Sequence, residues 1–368
     1  MNGIHLSKVL VQQRRKAGIS QEELANYLSV SKAAVSKWEN EQSFPDILLL
    51  PQLATYFGIS VDELLDYEPQ LSKEEIRRQY VRFRDAFEKR GFEEVLSECK
   101  DMVRKYYSCY PFLLQMAVLL INCAVSVPEK QDIMEYALGL LQKVRQESND
   151  PNDAKNAVNT EVLCYIMMGR SQDALALLDE DIRPISQETE LLAQAYQGIG
   201  EMEKAERAMQ AAMYQHLIML IGDGTALLLA NMQNPGKADE LMRRLDILTD
   251  TFEMDNLYPN VMTNYYLVSA QVFCVNQQKE RALAALKRYV DLCTIHFFPY
   301  ELHGDGFFDR IDSWFQEFPL GIQAPRSETA IKKSLVSAMC GNPIFQQLRD
   351  SGQYLQLEKR LQRILQEA

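Results

Sequence analysis

A chain of 368 residues is long enough to hold more than one core. Its formal net charge of −12 argues against a general nucleic-acid binder, and its seven cysteines fall without the paired spacing of a disulfide scaffold or a thiolate metal site. The charge is uneven, however: residues 1–45 hold six Lys/Arg against four Asp/Glu, so the N-terminal piece is slightly basic and the acidic excess lies downstream.

The first helix is expected from about Leu6 to Ala17, ended by Gly18, with Ile19 packing beneath the next two helices. The second is expected over Gln21 to Leu28, with Ser20 as N-cap and Glu23 completing a capping box. A third is expected over Lys32 to Glu39, capped by Ser31, with only Ser29 and Val30 between the two. Leu24, Ala25 and Leu28 form the inner face of the second helix, and Ala25 is small enough for a close crossing. Val35 and Trp38 face the same core from the third helix. That leaves Lys32, Ala33, Ser36, Lys37 and Asn40 outward. These side chains are short or basic and suit a groove of duplex DNA. Pro45–Asp46 opens a fourth helix with Leu48, Leu49, Leu53, Ala54 and Phe57 inward, stopped by Gly58. Ser60 caps a short fifth helix carrying Val61, Leu64 and Leu65. Tyr67–Glu68–Pro69–Gln70 reads as a boundary between domains at 1–67 and 72–368.

The segments LSKVLVQQRRKAGISQEELANYLSVSKAAVSKWENEQSFPD and LATYFGISVDELL resemble the lambda-repressor-like, Cro/C1-type helix-turn-helix family, also called XRE. The resemblance covers less than a fifth of the chain. It implies a five-helix DNA-binding domain in which Gln21 meets the DNA backbone or a base edge. Lys32, Ala33, Ala34, Ser36 and Lys37 then sit on or at the start of the recognition helix. Arg14 corresponds to the family's arginine that pairs with the glutamate at Glu39, tying the first helix to the third, and Trp38 occupies a position often aromatic or aliphatic. Asn40 stands where many members have glycine. Asparagine tolerates the left-handed backbone expected there. Gln13 stands where an apolar residue is common.

From Ser72 onward the pattern stays helical, with no convincing strand alternation. Antiparallel pairs are expected at 73–89 with 92–106, 110–125 with 130–147, 154–168 with 171–180, 187–198 with 201–219 and 237–252 with 259–275, followed by 279–298. The segments 168–180, 199–213 and 276–290 look like one repeated unit: a turn, charged residues, then an alanine for close packing (Ala174, Ala205, Ala282). The spacing of the first two alanines is near the ~34-residue tetratricopeptide period. This part therefore resembles degenerate tetratricopeptide (TPR) repeats, and the whole reads as all-α: a five-helix lambda-repressor-like domain followed by a TPR-like α-solenoid. Two places break the rhythm. The apolar stretch 217–229 is expected to be a helix interrupted or ended near Gly222–Gly224 and to act as a buried repeat element or part of a subunit interface. The aromatic, Gly- and Pro-rich stretch 297–325 reads as a packing loop, with a ligand-lining or regulatory role as the alternative. Helices are expected at 328–339 and 354–366, the latter with Leu355, Leu357, Leu361, Ile364 and Leu365 on one apolar stripe that caps the repeats or supports dimerisation.

Catalysis is not expected. The four histidines lack metal spacing, and no phosphate-binding glycine loop or nucleophile elbow is present. No cofactor or metal is implied. No signal peptide is read at the start, and the runs Phe112–Ala124 and Leu217–Ile221 are too short or interrupted to span a bilayer, so a cytoplasmic protein without a membrane partner is expected. The resulting reading is a sequence-specific transcriptional regulator of double-stranded DNA, dimeric because one such domain buries too little surface for high specificity. The helical domain would supply dimer contacts and sense a signalling peptide or protein effector. Peptide-responsive regulators of Gram-positive bacteria share this architecture, and their asparagine-rich inner faces imply Asn156, Asn159, Asn260 and Asn264 as groove candidates, though ordinary surface asparagines look the same. The alternative is a protein-interaction scaffold or antitoxin-like regulator using the helix-turn-helix for docking.

Overall fold

The structure, a computed structural model, describes residues 5–67, 70–124, 130–178, 182 and 185–366. Among them the regular structure is helical, and the sole β feature is an isolated antiparallel bridge between Glu301 and Gln323. The chain divides into two compact units, Met1–Ile76 with Lys100–Leu113, and Arg77–Cys99 with Leu114–Ala368. The division therefore differs from a cut at 67–72. Within the first unit Gln70 donates to the Ser108 carbonyl at 3.1 Å and the Leu71 amide donates to Cys109 Sγ at 3.4 Å, which draws the later segment in. Glu68 and Pro69 of the expected boundary, Val125, and Asp179 and Glu180 at the end of the expected 171–180 helix lie outside the described residues.

The first unit opens with α1 (Leu6–Lys16), α2 (Gln21–Tyr27), α3 (Lys32–Glu39), α4 (Leu50–Phe57) and α5 (Val61–Leu65). Ser20 and Ser60 each form a full capping box, with Glu23 and Glu63 returning the bond to the cap amide. Gly18 and Gly58 take left-handed backbone where α1 and α4 end. Leu6, Leu10, Leu24, Ala25, Leu28, Val35, Trp38, Leu53 and Leu64 form the core. Leu48 departs from expectation. It lies in a 3₁₀ turn, Ile47–Leu49, and is 76% exposed beside Ile47 at 75%. Pro45 and Asp46 do not begin a helix. Asp46 caps the 3₁₀ turn, and α4 starts only at Leu50, which rotates Leu48 outward.

The chain continues through α6 (Lys73–Lys89), α7 (Phe92–Lys105), α8 (Tyr110–Ala124), α9 (Lys130–Glu147), α10 (Pro151–Met167) and α11 (Ser171–Leu177). It goes on with α12 (Glu188–Gly198), α13 (Met202–Ala230), α14 (Pro235–Thr251), α15 (Met254–Leu257), α16 (Pro259–Val275) and α17 (Lys279–Asp291). The last helices are α18 (Asp312–Gln316), α19 (Glu328–Cys340) and α20 (Gly352–Gln362). In the second unit α9 packs on α10, α12 on α13 and α16 on α17.

The repeated unit seen in sequence has a matching backbone. Gly169, Gly200 and Gln277 each adopt left-handed φ (74°, 80° and 57°). The next residue's amide then donates back to an aromatic residue's carbonyl: Arg170 to Tyr165, Glu201 to Tyr196 and Gln278 to Phe273, at 2.8, 2.9 and 2.8 Å. This is the closing bond of a Schellman turn. A cation lies over each ring, Arg170 of the turn over Tyr165, and Lys204 and Arg281 of the following helix over Tyr196 and Phe273. Ala174, Ala205 and Ala282 are buried behind these turns.

Three expectations fail here for identifiable reasons. First, α13 runs unbroken through Gly222 and Gly224 for 29 residues. A Cβ on Gly224 would sit 2.8 Å from Leu245 Cδ2, so that glycine admits the neighbouring helix rather than ending its own. By length and composition α13 is long and apolar enough to cross a membrane, but Leu217, Ile221 and Leu228 lie in the core of the second unit. Second, Leu355 and Leu365 are exposed, while Leu357, Leu361 and Ile364 are buried. The helix gives way to a 3₁₀ turn at Arg363–Leu365, and its buried face is narrower than the apolar stripe. Third, helix 279–298 is shorter: α17 ends at Asp291 and passes into one π-helical turn, Leu292–His296.

The stretch 297–325 packs. Phe297, Phe308, Ile311 and Phe315 are buried in the core. Arg77 on α6 donates to the carbonyls of Gln316, Phe318 and Pro319 at 3.0, 2.8 and 3.1 Å. Tyr80 and Arg84, one and two turns on, donate to the Pro325 and Ala324 carbonyls. Gly321 is left-handed and any Cβ there would meet Arg77 at 3.2 Å.

Candidate nucleic-acid interface

The geometry of α2 and α3 is set by a short turn. Leu28 ends α2, Ser29 takes φ 56°, and the Val30 amide donates to the Ala25 carbonyl at 2.9 Å. Ser31 then caps α3 by accepting from the Ala34 amide at 3.2 Å. Val35 and Trp38 are 0% and 5% exposed, so the inner face of α3 is fixed against Leu24, Ala25 and Leu28.

A polar network fixes the other end. Arg14 grips both oxygens of Glu39, Nε to Oε1 at 2.5 Å and Nη2 to Oε2 at 3.0 Å. Its Nη1 donates to the Ile19 carbonyl at 2.9 Å. Gln21 Nε2 donates to Glu39 Oε2 at 2.8 Å. The Glu39 side chain is 5% exposed. Burial pushes its carboxyl up, but the hydrogen bonds from Arg14 and Gln21 and the arginine charge outweigh that and hold it below the ordinary carboxylate value. The Arg14 guanidinium is pushed up by its bond to Glu39. One carboxylate thus ties α1, α2 and α3 into a single rigid body. Gln21 is engaged in that tie, rather than free at the surface.

The outward face of α3 presents Lys32, Ala33, Lys37 and Asn40 as exposed residues, with Ser36 half-buried among them. Lys32 Nζ lies 3.6 Å from Glu22 Oε2, an exposed pair of little energetic weight that a phosphate can displace. Asn40 Nδ2 donates to the Ser36 carbonyl at 2.8 Å and lies 3.4 Å from Ser36 Oγ. Two details differ from expectation. Ala34 is half-buried and packs against the core, because it lies next to Val35 on the inward side of the cap. Asn40 has φ −101°, and the left-handed residue is Glu41, at φ 58°. α3 ends at Glu39 as expected, but the left-handed turn falls one residue after Asn40, and Ser7 Oγ donates to Glu41 Oε1 at 2.7 Å. Neither Glu41 nor the exposed trio Phe44, Ile47 and Leu48 was found from periodicity. Glu41 and Phe44 sit in the loop after α3 and Ile47 and Leu48 in the 3₁₀ turn, where the 3.6-residue period carries no information.

In the second unit, Asn260 and Asn264 are exposed on α16 and line one groove of about 370 Å³ with Thr263, Tyr300 and Arg326. Asn156 and Asn159 are exposed on α10 and do not line it. The structure therefore joins two of the four asparagines and leaves the others apart. His303 bonds the Gly304 carbonyl through Nδ1, Asp305 accepts from the amides of Phe307 and Phe308, and Asp309 pairs with Gln210. Among the described residues no cluster of three His, Cys, Asp or Glu is arranged to hold a metal.

Two short helices at a fixed angle, a buried Arg–Glu tie and an outward face of small and basic residues define a helix-turn-helix unit, and the helix-turn-helix family matches this chain over residues 10–64. The HTH-type transcriptional activator BcrR of Enterococcus faecalis is 35% identical over 65 residues, 18% of this chain and 32% of that protein. The match thus spans about a third of that relative's length. Among solved structures, the apo form of the competence regulator ComR from Streptococcus vestibularis aligns at 12% identity over 84% of this chain and 96% of its own, with a TM-score of 0.26. PlcR of Bacillus thuringiensis, in complex with the peptide PapR7 and DNA, aligns at 14% identity over 78% of this chain and 93% of its own, with a TM-score of 0.29. Scores of that size fall short of a shared arrangement of the whole chain.

Proposed function

We propose that this protein is a cytoplasmic transcriptional regulator that binds duplex DNA through α3 and acts as a homodimer. The observation that carries the reading is the outward face of α3: Lys32, Ala33 and Lys37 are exposed on a helix whose other sides are fixed by Trp38, Val35 and the Arg14–Glu39–Gln21 network. The lysines would neutralise phosphates, and Ala33 with Ser36 would meet base edges and thymine methyls. The activator BcrR, similar over this domain, supports a role in transcription. No catalytic step is assigned to the chain.

The domain extends over 1–67 in this reading, and 72–368 carries dimerisation and effector sensing. Exposed Phe44, Ile47 and Leu48 beside α3 offer a contact between two DNA-bound copies, and exposed Leu163, Ile166, Leu191 and Leu220 offer more in the helical domain. The groove at Asn260 and Asn264 suits the backbone amides of an extended peptide, with Arg326 available to a carboxylate. Binding of the whole protein to a promoter library, read by fluorescence anisotropy across a salt series, tests the DNA assignment. Lys32→Ala with Lys37→Ala should weaken every sequence and lower the salt slope by about two per protomer, about four for the bound dimer. An unchanged slope, with the fold intact, excludes α3 as the contacting helix.

A further inference from the structure

The long helix α13 is buried along one side and bare along another. From Met209 to Ala230 its sole Asp, Glu, Lys or Arg is Asp223, yet an apolar 18-residue window of the helix is only 39% buried within the chain. A domain normally turns a surface of that kind inward, and a contiguous apolar surface left outside marks an interaction site.

The bare residues form a line. Met213, Leu220 and Leu227 follow one another at intervals of seven. Met209, His216 and Asp223 fall between them, at the alternating four- and three-residue steps of a coiled-coil seam. Met213, Leu220 and Leu227 are 40%, 54% and 47% exposed, and His216 and Asp223 are exposed as well. Leu217, Ile221 and Leu228, on another side, lie in the core. His216 Nε2 lies 3.9 Å from Glu190 Oε1 of α12 at the edge of the line. Among the described residues no element covers the seam itself.

The seam fits a second copy of itself in one direction. Two parallel copies would set Asp223 on Asp223, so the one carboxylate would face its own image, and the helix dipoles would add. Two antiparallel copies, related by a two-fold axis near Ile218, set Leu220 against His216, Leu227 against Met209 and Met213 against Asp223. His216 of one copy then lies one layer from Asp223 of the other, as an imidazole donor beside a carboxylate, and the dipoles oppose. The exposed seam and its flanks amount to on the order of 600 Å² per copy, so a pair removes about 1,200 Å², the lower end for a specific interface and suited to micromolar association.

We propose that α13 pairs antiparallel with α13 of a second copy through this seam. The proposal rests on the homodimer reading above and supplies its contact in the helical domain. It acts without DNA, whereas the apolar side chains beside α3 meet only when two copies are bound.

Sedimentation equilibrium of the full chain without DNA, across about 1–100 μM, tests it. The wild-type chain should dimerise reversibly. Leu220→Glu should weaken association at least about tenfold, with the fold checked by circular dichroism. His216→Asp sets carboxylates in adjacent layers and should weaken it by about tenfold. Adding Asp223→Lys to His216→Asp should restore it, which parallel packing would not do. The proposal is overturned by a wild-type monomer across the range, by association unchanged in Leu220→Glu, or by a double variant as weak as His216→Asp alone. A monomer that floats with phosphatidylglycerol vesicles, and loses this with Leu220→Glu, would assign the seam to lipid instead. A dimer that survives Leu220→Glu removes α13 from the contact and leaves the homodimer reading standing, so the two fail separately.

Discussion

Glu39 shows how one side chain can decide whether a recognition helix is presented at all. It accepts from Arg14 through both oxygens and from Gln21 through one, and it is nearly out of reach of water. Removing its charge strands the Arg14 guanidinium, whose side chain is only 14% exposed. Glu39→Gln should therefore cost about 2–3 kcal/mol, the weight of charge-assisted bonds, and lower the urea midpoint followed by the fluorescence of Trp38, which packs one residue away. The same residue sets an acid limit. Its folded carboxyl titrates below the ordinary 4.5, so its contribution is fully present above that value and is lost as pH falls through the lowered one. The wild-type midpoint should drop on acidification below about pH 4.5, and Glu39→Gln should flatten that part of the profile. A profile unchanged by the substitution would mean that other carboxylates carry the acid response.

At the scale of the element, α13 separates two meanings of glycine. Both Gly222 and Gly224 lie inside a continuous helix, yet nothing comes within 4 Å of a Cβ built on Gly222, whereas Gly224 would meet three atoms of Leu245 between 2.8 and 3.3 Å. Alanine at 222 removes the helix penalty of glycine and should raise stability by about 0.5–1 kcal/mol. Alanine at 224 gains the same propensity but forces Leu245 aside, an overpacking cost of about 1–3 kcal/mol, so the net change should be destabilising. Thermal melts of the two variants should shift in opposite directions, and equal shifts would mean that Leu245 relaxes freely. The pair also shows what was legible. The bounds of α3, the Ser20–Glu23 capping box and the three repeat alanines could be read because each depends on neighbours a few residues away, whereas the Arg14–Glu39 tie, between residues 25 apart, came only with the family resemblance. Leu48, Glu41 and the continuity of α13 could not, because each depends on what packs opposite: a 3₁₀ turn, a Ser7 hydroxyl and a leucine from the next helix. The outward set of α3, Lys32, Ala33, Ser36, Lys37 and Asn40, was legible, whereas the half-burial of Ala34 and the engagement of Gln21, residues singled out by the resemblance, were not, both being decided by contacts with the rest of the domain. The asparagine groove was legible only in part, since helical spacing places Asn260 and Asn264 together but says nothing of whether α10 joins them.

For the whole molecule, the governing fact is charge. A net −12 opposes DNA, and the basic face of α3 is small, so a single copy should hold random duplex weakly. Pairing on a two-fold operator doubles the phosphate contacts and joins two half-sites into one binding event. Ile47 and Leu48 are suited to that pairing. They are 75% and 76% exposed, lie a few residues after α3, and contribute nothing to the domain core. Substituting both, Ile47→Ser with Leu48→Ser, should change stability by no more than about 0.5 kcal/mol. Affinity for an isolated half-site should be unchanged, because α3 is untouched. Affinity for the full palindrome should fall toward the half-site value, and the steep protein-concentration dependence of binding should flatten. If the palindrome is bound as tightly as before, the two apolar side chains play no part in pairing, and the proposed contact is left to Phe44 or to the exposed Leu163, Ile166, Leu191 and Leu220 of the helical domain.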